Sequence, residues 1–337
     1  MKPQYKIWIA ESYSCQKDIL QLLKNSHLST SLTVFCSHRY VRPELELYAD
    51  VFTQQPKVDE SAQWLLEQCI SNKIDLLFCG KHGHFIEQYR AEFEKNNIQL
   101  ITGTLSVEQH QQINNKYQFS QICESLDLPF IPATLVNSVE SLQNAIIDAQ
   151  KQFENICAKP VYGVYGFGFV RLINDVSYFK NFTSPTICNT QQFLEAYAQL
   201  DVATEYLIMP YLNGQECSVD IACNAGKILA QVTRIKYDFY QECFLEHPCH
   251  TICADLVQHF QCDGLINIQL KQDQNGKWHI LEINPRPAGG FAYTQHTGVN
   301  LVVELIADKL NLSLDKEIAI LSHVKVLPIT QSMKLDF

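Results

Sequence analysis

Four short apolar runs punctuate the first hundred residues: 6–10 (KIWIA), 32–36 (LTVFC), 74–80 (IDLLFCG) and 98–102 (IQLIT). Each is short for a buried helix and too continuously apolar for a strand with one wet face, so each reads as a strand covered on both sides. Helical spacing fills the gaps, notably at 60–72 (ESAQWLLEQCISN) and 84–96 (HFIEQYRAEFEKN). Strand and helix in alternation imply a small parallel α/β layer, because a crossover helix is what returns a chain to a parallel neighbour. The turn after the first strand, AESYSCQK, contains no glycine, so the G-x-G-x-x-G dinucleotide fingerprint is missing.

From about residue 106 the texture changes. A helix-like INNKYQFSQICESL, the turn DLPFIP, a strand near 131–136 and a helix to about 151 lead into NICAKPVYGVYGFGFVRL. Long strand-like runs follow, TEYLIMPYL, QECSVDIACN and KILAQVTRIK, with hairpin signals at Asn213-Gly214 and Asn224-Ala225-Gly226. A mixed, largely antiparallel half therefore follows a parallel one. The length of 337 residues agrees with two domains.

Net charge limits the partners. At a formal -10, with no block of lysine and arginine, the chain lacks the basic face that a nucleic-acid partner demands. No apolar run reaches the roughly 18 residues of a membrane span, and the start, MKPQYKIWIAES, meets polar residues too soon for a signal peptide, so no membrane partner and a cytoplasmic location are expected. The 13 cysteines are odd in number and show no C-x-x-C, which favours reduced, mostly buried thiols. HPCHTIC places the zinc-capable His247, Cys249, His250 and Cys253 close together; a helix beginning near 249 puts the two cysteines on one face and His250 off it, and a helix start with packed thiols is the expected form.

The segment GLINIQLKQDQNGKWHILEINPR folds as a hairpin on paper. A two-residue turn at Asn275-Gly276 sets Gln269 opposite Glu282 and Asn267 opposite Asn284, with Ile268, Leu270, Leu281 and Ile283 on the other face. One face is core, and the other presents a carboxylate and amide oxygens. Hard oxygen ligands with one formal charge suit a magnesium that completes its shell with water and phosphate oxygens, and suit zinc poorly. A merely solvated polar face is the alternative for the hairpin alone. Upstream, AKPVYGVYGFGFVRL sets Lys159 before Gly163, Gly166 and Gly168; glycines let backbone N–H groups approach phosphate while lysine adds positive charge, although no Walker G-K-[ST] follows.

Taken together, Lys116, AKP, G-x-x-G-x-G, MPYLNGQE, IQL and LEINPR resemble the ATP-grasp superfamily of ATP-dependent carboxylate ligases, over residues 105 to 310. The ending is most similar to the carbamoyl phosphate synthetase module and its smaller carboxylate-amine ligase relatives. The α/β unit ahead of it, with YADVFTQQP, resembles the domain that commonly precedes such a module. The resemblance implies a Rossmann-like pre-ATP-grasp domain at 1–105 and an ATP-grasp module at 106–320. That module would divide into a central subdomain and flap (106–205) and a metal and substrate subdomain (206–320), with a tail at 321–337.

It further implies that Lys116 and Lys159 reach the ATP phosphates under a flap formed by 163–168. Adenine would be read by backbone groups around Met209, Pro210, Tyr211 and Leu212, and the ribose held by Glu216. The sequence departs from the family where Met209-Pro210 replaces a frequent acidic or amide side chain. Gln269, Glu282 and Asn284 match the ligands of one or two magnesium ions, with manganese as the substitute; glutamine at 269 replaces the acid of most relatives. Arg286 matches the arginine that offsets charge on the transferring phosphoryl group. Arg234 is a second candidate, against a surface ion pair. Tyr237, Tyr293 and His296 are candidates for the substrate side.

The implied reaction is transfer of the ATP γ-phosphoryl to a small carboxylate, such as an amino acid, followed by attack of an amine on the acyl phosphate. Two alternatives stay open: carbamoyl-phosphate-type phosphorylation of bicarbonate or another carboxylate with a different acceptor, and a non-catalytic ATP-binding regulatory module. Small-molecule substrates are the expected partners, and a homodimer is the family habit.

Overall fold

The computed structural model describes residues 4–163, 166–314 and 319–334. They form two compact units, one made of residues 1–111, 216–269 and 283–337 and the other of 112–215 and 270–282.

The first unit opens with the parallel layer. Its strands are β1 (Tyr5–Ile9), β2 (Leu32–His38), β3 (Val51–Gln54), β4 (Leu76–Phe78) and β5 (Gln99–Ile101), in the order β3-β2-β1-β4-β5. Every pairing in it is parallel. The strand β3 lies within YADVFTQQP and is a fifth member beyond the four apolar runs. The expected helix at 84–96 is broken: α-helical turns at Gly83–Ile86 and Arg90–Lys95 flank a 3-10 turn at Glu87–Tyr89, and His82 ahead of them sits at φ 57°.

The second unit holds a mixed sheet. Its strands are β6 (Thr134–Val136), β7 (Ile156–Pro160), β8 (Val170–Ile173), β9 (Ile187–Asn189) and β10 (Tyr206–Pro210), in the order β6-β10-β7-β8-β9. Val136, Leu142, Ile146, Ile156, Ala158 and Ile208 form its core with the helix Val139–Gln152. That helix starts at a capping box in which the Ser138 and Ser141 side chains each bond the other's backbone N–H.

The third sheet contains β11 (Glu216–Asn224), β12 (Lys227–Lys236), β13 (Gln241–Phe244), β14 (Gly264–Gln272), β15 (Trp278–Asn284) and β16 (His323–Val326), in the order β15-β14-β11-β12-β13-β16. Part of the expected tail is thus a strand, antiparallel to β13. Ala225 and Gly226, at φ 47° and 80°, make the two-residue turn between β11 and β12. Asn213-Gly214 is no hairpin turn, because β10 and β11 lie in different sheets. Its glycine answers a close approach instead: a Cβ there would stand 2.5 Å from the Gln272 carbonyl oxygen.

The residues 1–111 and the 216–337 portion of the first unit share one hydrophobic core. Ile7, Ile9, Leu20 and Val34 pack in the same cluster as Val232, Phe291 and the seven apolar residues of the helix Leu301–Leu310. None of the thirteen cysteines forms a disulfide in this structure, and all but Cys188 are buried. Among the described residues no helix is long and apolar enough to cross a membrane.

Candidate active site

The second unit gathers Lys116, Lys159, Met209 and Glu282. Lys116 is the first residue of the helix Lys116–Ser125, whose N-cap Asn115 accepts hydrogen bonds from the N–H groups of Tyr117 and Gln118. A cation at this end opposes the helix dipole, which favours anions here. Its Nζ donates to the Gly163 carbonyl oxygen at 2.8 Å. Burial, then the neighbouring Lys159, push Lys116 down to about 8 against the opposing pull of Glu282. Lys159 stands on β7 opposite Leu207 of β10, and its Nζ reaches Glu282 Oε2 at 2.8 Å. Two lysines thus line one crevice, and one of them is paired with a carboxylate.

The backbone around Met209 also takes shape. Pairing of β10 with β6 ends at Ile208, while pairing with β7 runs on to Pro210. Beyond it Tyr211 N–H donates to Asn155 O at 2.9 Å. The Tyr211 ring lies under the Arg171 guanidinium at 4.2 Å and near Lys271 Nζ at 5.3 Å, two cations that sequence reasoning missed. Phe119, Phe130, Leu207 and Met209 line an apolar crevice beside the lysines, with a volume of about 20 Å³. A cavity of about 410 Å³ opens along Phe153, Tyr211, Leu212, Asn213 and His279. Gly163, Gly166 and Gly168 all have positive φ, and Phe167 among them is 86% exposed. Val164 and Tyr165 of the expected flap lie outside the described residues.

The hairpin turn differs from its sequence expectation. Asp273 N–H donates to Lys277 O at 2.9 Å and Gly276 N–H to Asp273 O at 3.1 Å, closing a three-residue loop with Gly276 at φ 78°. This moves the register by one residue. Ile280 and Ile283 of β15 are both buried although three apart, so strict alternation breaks between them.

The first unit holds Gln269, Asn284, Arg286, Arg234 and Glu216. Glu216 begins β11 and is exposed. Arg286 lies over the Tyr13 ring at 4.5 Å and donates to Asn284 Oδ1 at 3.2 Å and Pro287 O at 3.3 Å. Gly103 makes this bend feasible, since a Cβ there would stand 2.1 Å from the Pro285 carbonyl oxygen. Arg234 is not on the surface: only 7% of its side chain is exposed, and its Nε donates to Asp220 Oδ2 at 2.5 Å. Burial works against its charge, but Asp220 more than offsets this and holds the guanidinium above its ordinary value. Asp220 also accepts from Asn267 Nδ2 at 3.0 Å, and Arg234 Nη1 donates to Gln241 at 2.6 Å. Arg234 is therefore already paired. Of the substrate-side candidates, Tyr237 stacks on Tyr240 at 4.7 Å, Tyr293 lies against Gly290 and Arg234, and His296 is exposed.

A further cluster escaped sequence reasoning. At the carboxyl ends of β1 and β4, the buried Glu11 meets Lys81 at 2.7 Å, Arg39 at 3.2 Å and His38 at 3.9 Å. Burial works to raise the Glu11 carboxyl, yet the Lys81 hydrogen bond and the surrounding cations leave it below its ordinary value. Lys81 also faces the Tyr13 ring, at 5.5 Å. These are the strand ends flanking the point where the order β3-β2-β1-β4-β5 reverses, where open α/β sheets place ligands. The parallel pattern alone pointed there; the residues, drawn from the ends of three strands, carried no motif.

Solved structures share this architecture. N5-carboxyaminoimidazole synthetase from Staphylococcus aureus superposes with a TM-score of 0.67 at 15% identity, covering 96% of this chain and 82% of that one. This chain has the ATP-grasp fold. Biotin carboxylase from Campylobacter jejuni gives 0.67 at 16% identity over 95% of this chain and 74% of its own. The Hydrogenobacter thermophilus 2-oxoglutarate carboxylase biotin carboxylase domain, in complex with MgADP, ADP and bicarbonate, gives 0.67 at 13% over 95% and 73%. Residues 203–332 match a family described as ATP-grasp in the biosynthetic pathway with Ter operon. No curated protein matches the chain in sequence. The ATP-grasp assignment made from the sequence holds at the level of the fold.

Proposed function

We propose that this ATP-grasp chain is an ATP-dependent ligase that phosphorylates a small carboxylate and passes the acyl group to an amine, releasing ADP and phosphate. The observation that carries the reading is the Lys159–Glu282 pair with Lys116 lining the same crevice. Two lysines held close together repel, and a polyphosphate relieves that repulsion while freeing Glu282 for a metal.

Lys116 and Lys159 bind and orient the phosphates, with the helix N-terminus adding to the attraction. Glu282 and Asn284, two apart on β15, with Gln269 on β14, would hold magnesium: a carboxylate and two amides are hard oxygen donors with few charges, which fits that ion and not a soft one. When bound, magnesium would supply charge neutralisation at the phosphoryl oxygens. Arg286, held by Tyr13 and Asn284, offsets charge on the transferring group. Arg234, whose Nε and Nη1 donate to Asp220 and Gln241, would brace the Gly290 loop beside the substrate.

A crevice of about 20 Å³ holds little more than one water, so adenine must displace its walls to bind. The cations around Glu11 suit an anionic small substrate near Tyr13. Relatives whose names specify carboxylation keep bicarbonate in view as an alternative carboxyl source.

The test is ADP release by the full chain with magnesium and ATP against amino acids and small carboxylates, singly and paired with amines. Turnover that requires both partners and disappears in Glu282→Ala supports the ligase. Nucleotide binding without turnover on any pair supports the regulatory alternative.

A further inference from the structure

A second cluster in the first unit has chemistry that the magnesium reading does not use. Cys217, at the start of β11, faces Cys249, at the N-cap of the helix His250–His259, with the two sulfurs 3.8 Å apart. His247 completes the group, and one ligand atom from each of the three lies within 4.8 Å of the other two. The Cys249 N–H donates to His247 Nδ1 at 3.3 Å, a hydrogen bond that an ion taking that lone pair would replace. Both cysteines are buried and His247 is half-buried.

The sequence suggested a different quartet, and the structure divides it. His250 turns away, with its Nε2 at 2.9 Å from Thr233 Oγ1, and burial pushes it down to about 4. Cys253 is buried on the next turn of the helix, outside the cluster. The ligand that replaces them, Cys217, lies thirty residues upstream and joins through the fold.

We propose that Cys217, His247 and Cys249 form a binding site for zinc or a similarly thiophilic divalent ion. Tetrahedral ligation with zinc–sulfur bonds of about 2.3 Å separates two sulfurs by about 3.8 Å. The observed spacing equals that edge, whereas a disulfide requires about 2.05 Å. Two thiolates and an imidazole select zinc, cobalt or copper(I) over magnesium, so the site stays distinct from the oxygen ligands of Glu282 and Asn284. Among the described residues no fourth histidine, cysteine or carboxylate joins the group, so water completes the tetrahedron on the half-exposed His247 side. The bound ion would clamp the first turn of the helix His250–His259 to the start of β11.

The test uses the full chain, purified with reductant, stripped by chelation and titrated with cobalt(II) in the absence of ATP. One equivalent should bind with intense tetrahedral ligand-field bands and a thiolate-to-cobalt charge-transfer band, and zinc should displace it one for one. Cys249→Ser and His247→Ala should reduce this uptake to background, while Cys188→Ser keeps it. An octahedral spectrum without the charge-transfer band overturns the site, and this reading needs no variant to fold. So does uptake unchanged in the ligand variants, or the loss of two titratable thiols in the unreduced, denatured wild type, which would show a disulfide instead.

Discussion

Nucleotide affinity should fall on going from pH 7 to pH 9, and Lys116 supplies the reason. Its free-state value is depressed to about 8 by burial and by Lys159, with Glu282 pulling the other way. A bound phosphate restores its charge, so binding takes up a proton. A group whose value rises on binding contributes affinity fully below its free value and loses it as pH climbs above. With a free value near 8, about nine tenths of the protein is charged at this site at pH 7 and about one tenth at pH 9, which predicts roughly tenfold weaker binding, or about 1.4 kcal/mol. Calorimetric titration with MgADP at constant ionic strength measures it, run in two buffers of different ionisation enthalpy to count the protons. Lys116→Arg should bind with a flat profile, and Lys116→Met weakly and flat. A wild-type profile that is flat or rises, or no proton uptake near pH 8, refutes the reasoning.

Glu282→Gln removes the carboxylate that neutralises Lys159; metal-free ADP should bind at least as well as to wild type, while the increment from magnesium vanishes in the same titration. Asp220→Asn strands the buried Arg234 charge and should cost about 3–5 kcal/mol in urea denaturation, with Asp220→Leu/Arg234→Met recovering most of it. Gly103→Ala forces a side chain onto φ 107° and against Pro285, and should lower stability by about 2 kcal/mol or more, read as a drop in the denaturation midpoint.

The parallel layer was legible where apolar runs were continuous, as at β1 and β4, because strands buried on both faces carry no polar interruptions. The edge strand β3 was not: Val51 and Gln54 are exposed, so the segment lacks that signature. Glycines misled by serving two ends. Gly226 marks a true hairpin, whereas Gly214 permits close backbone approach and Gly276 closes a loop one residue longer than expected. At the site, Lys159 and Glu282 were readable as chemistry, but their 2.8 Å contact joins residues 123 positions apart. Arg234 looked like a ligand candidate because nothing in its own strand announces Asp220. The Glu11 and Lys81 cluster and the Cys217 ligand were invisible for the same reason: each is assembled by topology from segments with no shared motif.

The central claim is that Lys159 belongs to a nucleotide phosphate seat, and equilibrium binding of MgATP to wild type and Lys159→Met tests it most directly. Losing a charge-assisted contact to phosphate should weaken binding by at least about 30-fold with the fold intact by circular dichroism. Wild-type protein that does not bind MgATP, or a variant within threefold of it, would contradict the account.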